Sequence, residues 1–309
     1  MILLVMKNIK IGRKRIIKIL LFGANGQLGK ELNRNLKYLF SLDSYTKEEC
    51  DITNHSKVNK ILNNNYDVVI NASGFTKVDE AEVTKDYSNK VNHFAIKNIV
   101  DALENTKTLL IHYSTDYVFD GNKNVPYLES DKPNPLNCYG QSKLDGEKCI
   151  KDSDLNFFIF RTSWVYDNTS DNFPNKILSR FNEKQNLKII DDQIGAPTHV
   201  KLIADNSLMS IEYFLESNNA KRKKISGLYH LTSSDYVSWY DFAHYLLAGY
   251  TSKKKMNMIK ITKLKTYQFI TRAKRPLYSV LDCGKFEKTF STKLESWKVY
   301  ADYFVRSKL

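Results

Sequence analysis

Paired cysteines are missing from this chain: its four, Cys50, Cys138, Cys149 and Cys283, show no C-x-x-C or similar spacing. Reduced thiols in a cytoplasmic protein are the expectation, and no metal is called for. No apolar run approaches the roughly 20 residues a membrane-crossing helix needs, so no membrane partner is expected. Residues 1–16 hold one short apolar run followed by basic residues, the reverse of a secretory signal, where charge comes first. They read as a flexible extension ahead of the first strand. Internal repeats, low-complexity linkers and any zinc-finger, RNP or helix-turn-helix pattern are also lacking.

What is present is an ordinary globular composition of 309 residues, 42% of them apolar, with 16 Phe and 19 Tyr. A chain of that length buries a core without staples. Its 47 basic against 34 acidic residues give +13, a balance that suits an anionic partner. The positive residues are scattered, however, with the densest runs at 13–15 and 221–224. A solvated surface is the better reading, and no nucleic acid is expected.

Residues 16–22 (IIKILLF) form a continuous apolar run, as a strand buried on both faces of a parallel sheet requires. The run enters Gly23-Ala-Asn-Gly26-Gln27-Leu28-Gly29 and then a helix-favouring stretch. In that setting Gly23 permits the tight turn, Gly26 lets the backbone approach a pyrophosphate, and Gly29 lets the helix pack on the strand. The helix N-terminus adds free N–H donors for phosphates. Further strands are expected at 39–45, 67–71, 108–112, 156–160, 228–231 and 277–281. Helices are expected at 55–63, 86–104, 136–151, 172–182, 200–215 and 239–247. Strand and helix alternate through the first 160 residues, which argues an α/β, doubly wound parallel sheet. Ligands of such sheets lie beyond the carboxyl ends of the strands. Distinctive residues cluster at those ends: Asp51 and Ile52, then Ala72, Ser73 and Gly74, then Thr115 and Asp116.

The stretch Tyr139-Gly-Gln-Ser-Lys143 stands on an expected helix, where residues four apart share a face. A tyrosine is a poor acid at neutral pH, with a pKa of about 10. A nearby ammonium favours the phenolate and brings the group toward useful proton transfer.

These segments together resemble the extended short-chain dehydrogenase/reductases, and within them the dTDP-4-dehydrorhamnose reductase family. The carrying motifs are GANGQLG (23–29), CDIT (50–53), VVINASGFTKVDEAE (68–82), HYSTDYVFDG (112–121) and NPLNCYGQSKLDGE (134–147). FRTSWVY (160–166), DDQIGAPT (191–198), LYHLTSSDYVSWYDFA (228–243) and RPLYSVLD (275–282) follow in the family's order. The resemblance implies a Rossmann nucleotide domain over 17–163 and about 198–234. A smaller, mixed substrate domain would take about 164–197 and 235–309.

It also implies an NAD(P)H-dependent reduction of the C4 ketone of a dTDP- or UDP-linked 4-keto-6-deoxy sugar, in activated rhamnose and polysaccharide biosynthesis. Tyr139, Lys143 and Thr115 would be catalytic. Gly23, Gly26, Gln27, Leu28, Gly29, Lys47, Asp51, Ile52, Ala72, Ser73 and Gly74 would bind the cofactor, with Tyr139 and Lys143. Thr115, Asp116, Trp164 and Arg275 would meet the sugar nucleotide. Lys47 sits where a 2′-phosphate would lie, so NADPH is expected, with NADH admitted; a homodimer is admitted too.

Two departures stand out: Ala72-Ser73-Gly74 where the family usually shows three alanines, and Cys138 where a bulkier aliphatic residue is common. Two alternatives remain open on the sequence alone. One is a bifunctional 3,5-epimerase/4-reductase acting on a UDP- or GDP-linked sugar, with Cys138 or His93 supplying the extra acid/base group. The other is a non-catalytic nucleotide-binding regulatory subunit.

Overall fold

The computed structural model describes residues 16–309. The extension expected over 1–16, Ile16 excepted, and the basic run at 13–15 therefore lie outside the described residues.

A six-stranded parallel sheet organises the chain. Its strands are β1 (Lys18–Phe22), β2 (Ser41–Tyr45), β3 (Val68–Asn71), β4 (Leu109–Thr115), β5 (Asn156–Thr162) and β6 (Gly227–His230). They lie in the order β6-β5-β4-β3-β1-β2. Strand side chains alternate between faces, and here both faces are covered. Ile19 and Leu21 of β1 join one core, Leu20 and Phe22 the other, and all four are fully buried. Only the edge strand β2, SLDSY, is half-exposed along its length, which fits its polar sequence.

Helices α1 (Gln27–Leu36), α2 (His55–Leu62), α3 (Ala95–Leu103), α4 (Cys138–Lys151), α5 (Phe173–Asn182) and α6 (Val200–Glu216) follow. Leu32 and Leu36 of α1 pack with Leu202, Ile211 and Phe214 of α6 on one face of the sheet. Val58 of α2, Ile99 of α3 and Ile150 of α4 cover the other. A third core joins α5 to α7 (Trp239–Lys254) and α9 (Trp297–Arg306) through Phe181, Phe242, Leu246, Trp297 and Phe304. The intervening helix α8 (Gly284–Phe290) returns to the sheet, where Phe286 and Phe290 enter the first core.

Three departures from the sequence reading stand out, the first two with plain physical causes. The helix expected at 86–104 is interrupted by a π-helical turn over Lys90–Phe94. Asn92 within it turns its amide to the backbone of Phe75, accepting from that N–H at 2.9 Å and donating to that carbonyl at 3.0 Å. No strand forms at 277–281; Tyr278 bridges Ile194 and Leu281 bridges Tyr127. A strap that exchanges single bridges with two separate segments has no continuous neighbour to pair with. Finally, α8 and α9 were not foreseen from the sequence. The basic run at 221–224 lies in a short helix, Asn219–Ile225, where Arg222 donates to the carbonyls of Phe214 and Leu215 at 3.0 and 2.8 Å. That arginine stitches two helix ends together.

Candidate active site

The glycine turn after β1 is built by close approach. A Cβ on Gly29 would sit 1.9 Å from the Gly23 carbonyl oxygen, so only glycine lets α1 start this near the strand. Gly23 has a φ of +82° and abuts Ser73 of the next loop, a backbone region that favours glycine. The first turn of α1 has no side-chain cap and no acidic residue. Its N–H groups and the positive end of its dipole are therefore available to an anion. A cleft of about 460 Å³ opens here, lined by Gly23, Gly26, Lys47, Asp51, Ile52, Ala72, Ser73 and Gly74 among others. The residues fit a dinucleotide, with phosphate donors at one end and the apolar walls of Ile52, Ala72 and Phe75 along it.

Several expected cofactor residues take other positions. Gln27 accepts a hydrogen bond at 3.2 Å from Asn172, the residue that caps α5, tying the glycine turn to the lobe of the third core. Gly29 is buried in the packing of helix on strand and does not line the cleft. Lys47 is exposed at the rim and donates to the Tyr87 hydroxyl at 2.9 Å.

Next to this cleft stands the N-terminus of α4. Asn137 caps it, accepting from Gly140 N–H at 2.8 Å while its own amide donates to the Lys274 carbonyl at 2.8 Å. A Cβ on Gly140 would lie 2.2 Å from the Tyr117 carbonyl oxygen. Glycine there brings Tyr139 to the end of β4, close enough to Thr115 for its hydroxyl to lower the phenol's pKa. The same hydroxyl accepts from Tyr117 N–H and donates to Asp116, each at 3.1 Å.

The electrostatics differ from the sequence expectation in one respect. Burial pushes the Tyr139 phenol up to about 12; Thr115 pulls it down and Asp116 adds to the rise. Lys143 has no part in that balance, because its Nζ is turned away, donating to the Tyr113 carbonyl at 2.5 Å and lying 3.3 Å from His112 Nε2. Burial lowers Lys143 itself to about 8, with Glu147 opposing. Asp116 is buried and raised to about 6, by burial first, although Thr115 and Ser163 each donate to it at 3.1 Å. So the site gathers a phenol, a hydroxyl, an amine and a carboxyl side by side, with the amine and the carboxyl both titrating closer to neutral pH than they would in water.

Trp164 and Arg275 complete the picture. Trp164 is half-buried, has a φ of +45°, and stacks flat on Trp239 with centroids 3.5 Å apart. The Arg275 guanidinium is held by Asp79 through bonds of 2.5 and 3.3 Å, so the phosphate-binding fork expected of it already has a carboxylate partner. Cys138 donates its thiol to Glu82 at 3.4 Å and is raised by burial and that carboxylate.

Sequence reasoning overlooked Asn71, Asn92, His112, Trp239 and the Glu147–Arg161 pair. A signal existed for two of them. Asn71 and His112 each close an apolar strand run, and they are register partners in neighbouring strands.

A glycine-turn dinucleotide cleft beside a buried Tyr-x-x-x-Lys helix and a threonine at the end of β4 defines an extended short-chain dehydrogenase/reductase. The RmlD substrate binding domain model matches residues 17–308. A dTDP-4-dehydrorhamnose reductase of Salmonella typhimurium is 36% identical over 293 residues, covering 92% of this chain and 95% of that one. The Bacillus subtilis spore coat polysaccharide biosynthesis protein SpsK is 34% identical, covering 88% and 91%. Among solved structures, a Bacillus anthracis dTDP-4-dehydrorhamnose reductase in complex with NADP superposes with a TM-score of 0.85 at 29% identity, covering 95% of this chain and all of that one. A Clostridium acetobutylicum dTDP-4-dehydrorhamnose reductase gives 0.85 at 33%, covering 94% and 99%. The chain belongs to the dTDP-4-dehydrorhamnose reductase family, whose members are NAD(P)-dependent oxidoreductases.

Proposed function

We propose that the protein reduces the C4 ketone of dTDP-4-dehydro-L-rhamnose to dTDP-L-rhamnose, with NADPH as the preferred reductant. The observation that carries this is the meeting of Tyr139, brought in by the Gly140–Tyr117 approach, with Thr115 at the end of β4, beside the dinucleotide cleft. NADPH, held by the first turn of α1 and the wall from Ala72 to Gly74, supplies the hydride. As negative charge grows on the sugar oxygen, Tyr139 gives it a proton and Thr115 donates a hydrogen bond to it. A phenol raised to about 12 keeps that proton at neutral pH until the developing alkoxide, a far stronger base, takes it. Lys143 orients the ribose side of the cofactor, and Lys47 at the rim favours a 2′-phosphate.

The lobe around the third core would hold the sugar nucleotide, with Trp164 as a flat wall and Asp116 beneath. Two copies assembling as a dimer, and a UDP-linked substrate, are compatible with this reading. Of the two groups the epimerase alternative could draw on, Cys138 faces Glu82, which opposes a thiolate, and the His93 ring is stacked on Phe94.

The experiment is nicotinamide absorbance with dTDP- and UDP-linked 4-keto-rhamnose in parallel, each with NADPH and with NADH. Turnover with the dTDP sugar and NADPH, without deuterium exchange at C3 or C5 of a non-epimerised substrate, is expected. No turnover of either sugar would sink the proposal.

A further inference from the structure

Asn71, His112 and Lys143 form a buried chain from the cofactor wall to the lysine. The Asn71 amide is fixed in one orientation, because its Oδ1 accepts from Ser73 N–H at 3.0 Å. Its Nδ2 must then face His112 Nδ1, 3.2 Å away. An amide NH₂ can only donate, so Nδ1 is the accepting nitrogen and the neutral ring carries its proton on Nε2. Burial keeps that ring neutral, with the lysine's charge acting in the same direction. Nε2 is the atom that lies 3.3 Å from Lys143 Nζ.

An N–H aimed at an ammonium sets two donors against each other, whereas an amine can accept from His112 with its lone pair and still donate to the Tyr113 carbonyl. We propose that Asn71 and His112 are positioning residues that loosen the hold of Lys143 on its proton, by presenting it with an imidazole N–H in place of a lone pair.

The other groups around Nζ do not undo this. Gly74 presents only backbone. Glu147 lies one turn along α4 and favours the charged form, but its oxygens are engaged by Arg161 and Ser114. Burial lowers Lys143 toward neutrality independently. Asn71 also anchors Ser73, so movement of the cofactor wall is coupled to the tautomer that faces the lysine. The consequence for cofactor binding rests on the ribose-orienting role that the proposed reduction gives Lys143.

The test is nitrogen-15 NMR of the histidine rings in the intact protein, with His112→Gln identifying the signal; it needs neither cofactor nor sugar. The native ring is expected neutral with its proton on Nε2 from about pH 6 to about pH 9. In Asn71→Asp the carboxylate accepts from Nδ1, the proton moves there, and Nε2 offers Lys143 a lone pair. The alkaline limb of NADPH affinity, read by fluorescence, should then move up by about one pH unit or more. A native ring protonated on Nδ1, or an Asn71→Asp limb that coincides with the native one, overturns the proposal. Both readouts omit the sugar, so failure of the proposed reduction would appear separately, as absent turnover with the ring signal unchanged.

Discussion

Glu147 and Arg161 clasp each other beneath the site, with Arg161 Nε 2.9 Å from Oε1 and Nη2 2.6 Å from Oε2. Both side chains are essentially inaccessible to solvent, and Ser114 donates to the same carboxylate at 2.5 Å. The pair pins the helix that bears Tyr139 and Lys143 to β4 and β5, the strands that end at Thr115 and Thr162.

Removing one partner leaves a buried charge alone, which costs about 3–5 kcal/mol. Glu147→Ala should therefore lower stability by about that amount in urea unfolding, with Arg161→Met, Glu147→Leu together closer to the native value. Equal stability of the single and double variants would show that the pair is not electrostatically coupled.

The glycine turn yields a second prediction. A methyl group on Gly29 would meet a backbone oxygen at 1.9 Å, and backbone cannot swing aside as a flexible side chain can. Gly29→Ala should displace the start of α1 and weaken NADPH binding by at least tenfold, roughly 1.4 kcal/mol, as read by fluorescence titration. Far-ultraviolet circular dichroism should stay near native, since α1 can shift without unfolding.

The sheet was readable in the sequence because its inner strands are apolar runs that end at glycine or polar residues, and period and punctuation agree there. The Gly23–Gly29 turn and the Tyr139–Lys143 spacing were legible for the same reason: local geometry fixes what those residues can do. The π-helical turn was not, since it depends on Asn92 finding the Phe75 backbone 17 residues earlier. Nor was the orientation of Lys143, because four-residue spacing fixes a shared face but not which neighbour the ammonium reaches. The strap at 277–281 reads as a strand by composition and fails to be one for want of a continuous partner. Trp239 lay inside a recognised motif, yet only the fold brings it onto Trp164.

Asp116 supplies a pH-dependent prediction. Its carboxyl is raised from 3.8 to about 6, by burial above all. A group that binds its proton more tightly when folded takes stability away as pH rises from the unfolded value to the folded one. That loss develops between about pH 4 and pH 6 and reaches about 3 kcal/mol above it. Asp116→Asn keeps an acceptor for Thr115 and has no proton to lose. The stability difference, variant minus native, should grow over that interval and be flat beyond about pH 7. Taking the difference also cancels His199 and His230, which burial holds low and which act in the opposite direction. A difference that does not vary with pH would mean that Asp116 is ionised as easily in the fold as out of it.

The chemistry itself is tested at Thr115 and Tyr139 together. Tyr139→Phe removes the proton donor but preserves the ring that packs edge-on to Tyr117 at 6.1 Å, so NADPH should bind as before while single-turnover reduction falls about 10²–10⁴-fold. Thr115→Val is close to isosteric and leaves the phenol in place. It removes the hydroxyl that lowers Tyr139 and the donor that meets the sugar oxygen, so a loss of about 10²–10³-fold is expected. With both altered, the loss should fall well short of the product of the two, because residues that act as a unit are not additive. Independent, multiplicative losses would place Thr115 outside the proton-transfer step and leave it as the cap of the helical turn at Asp116–Val118.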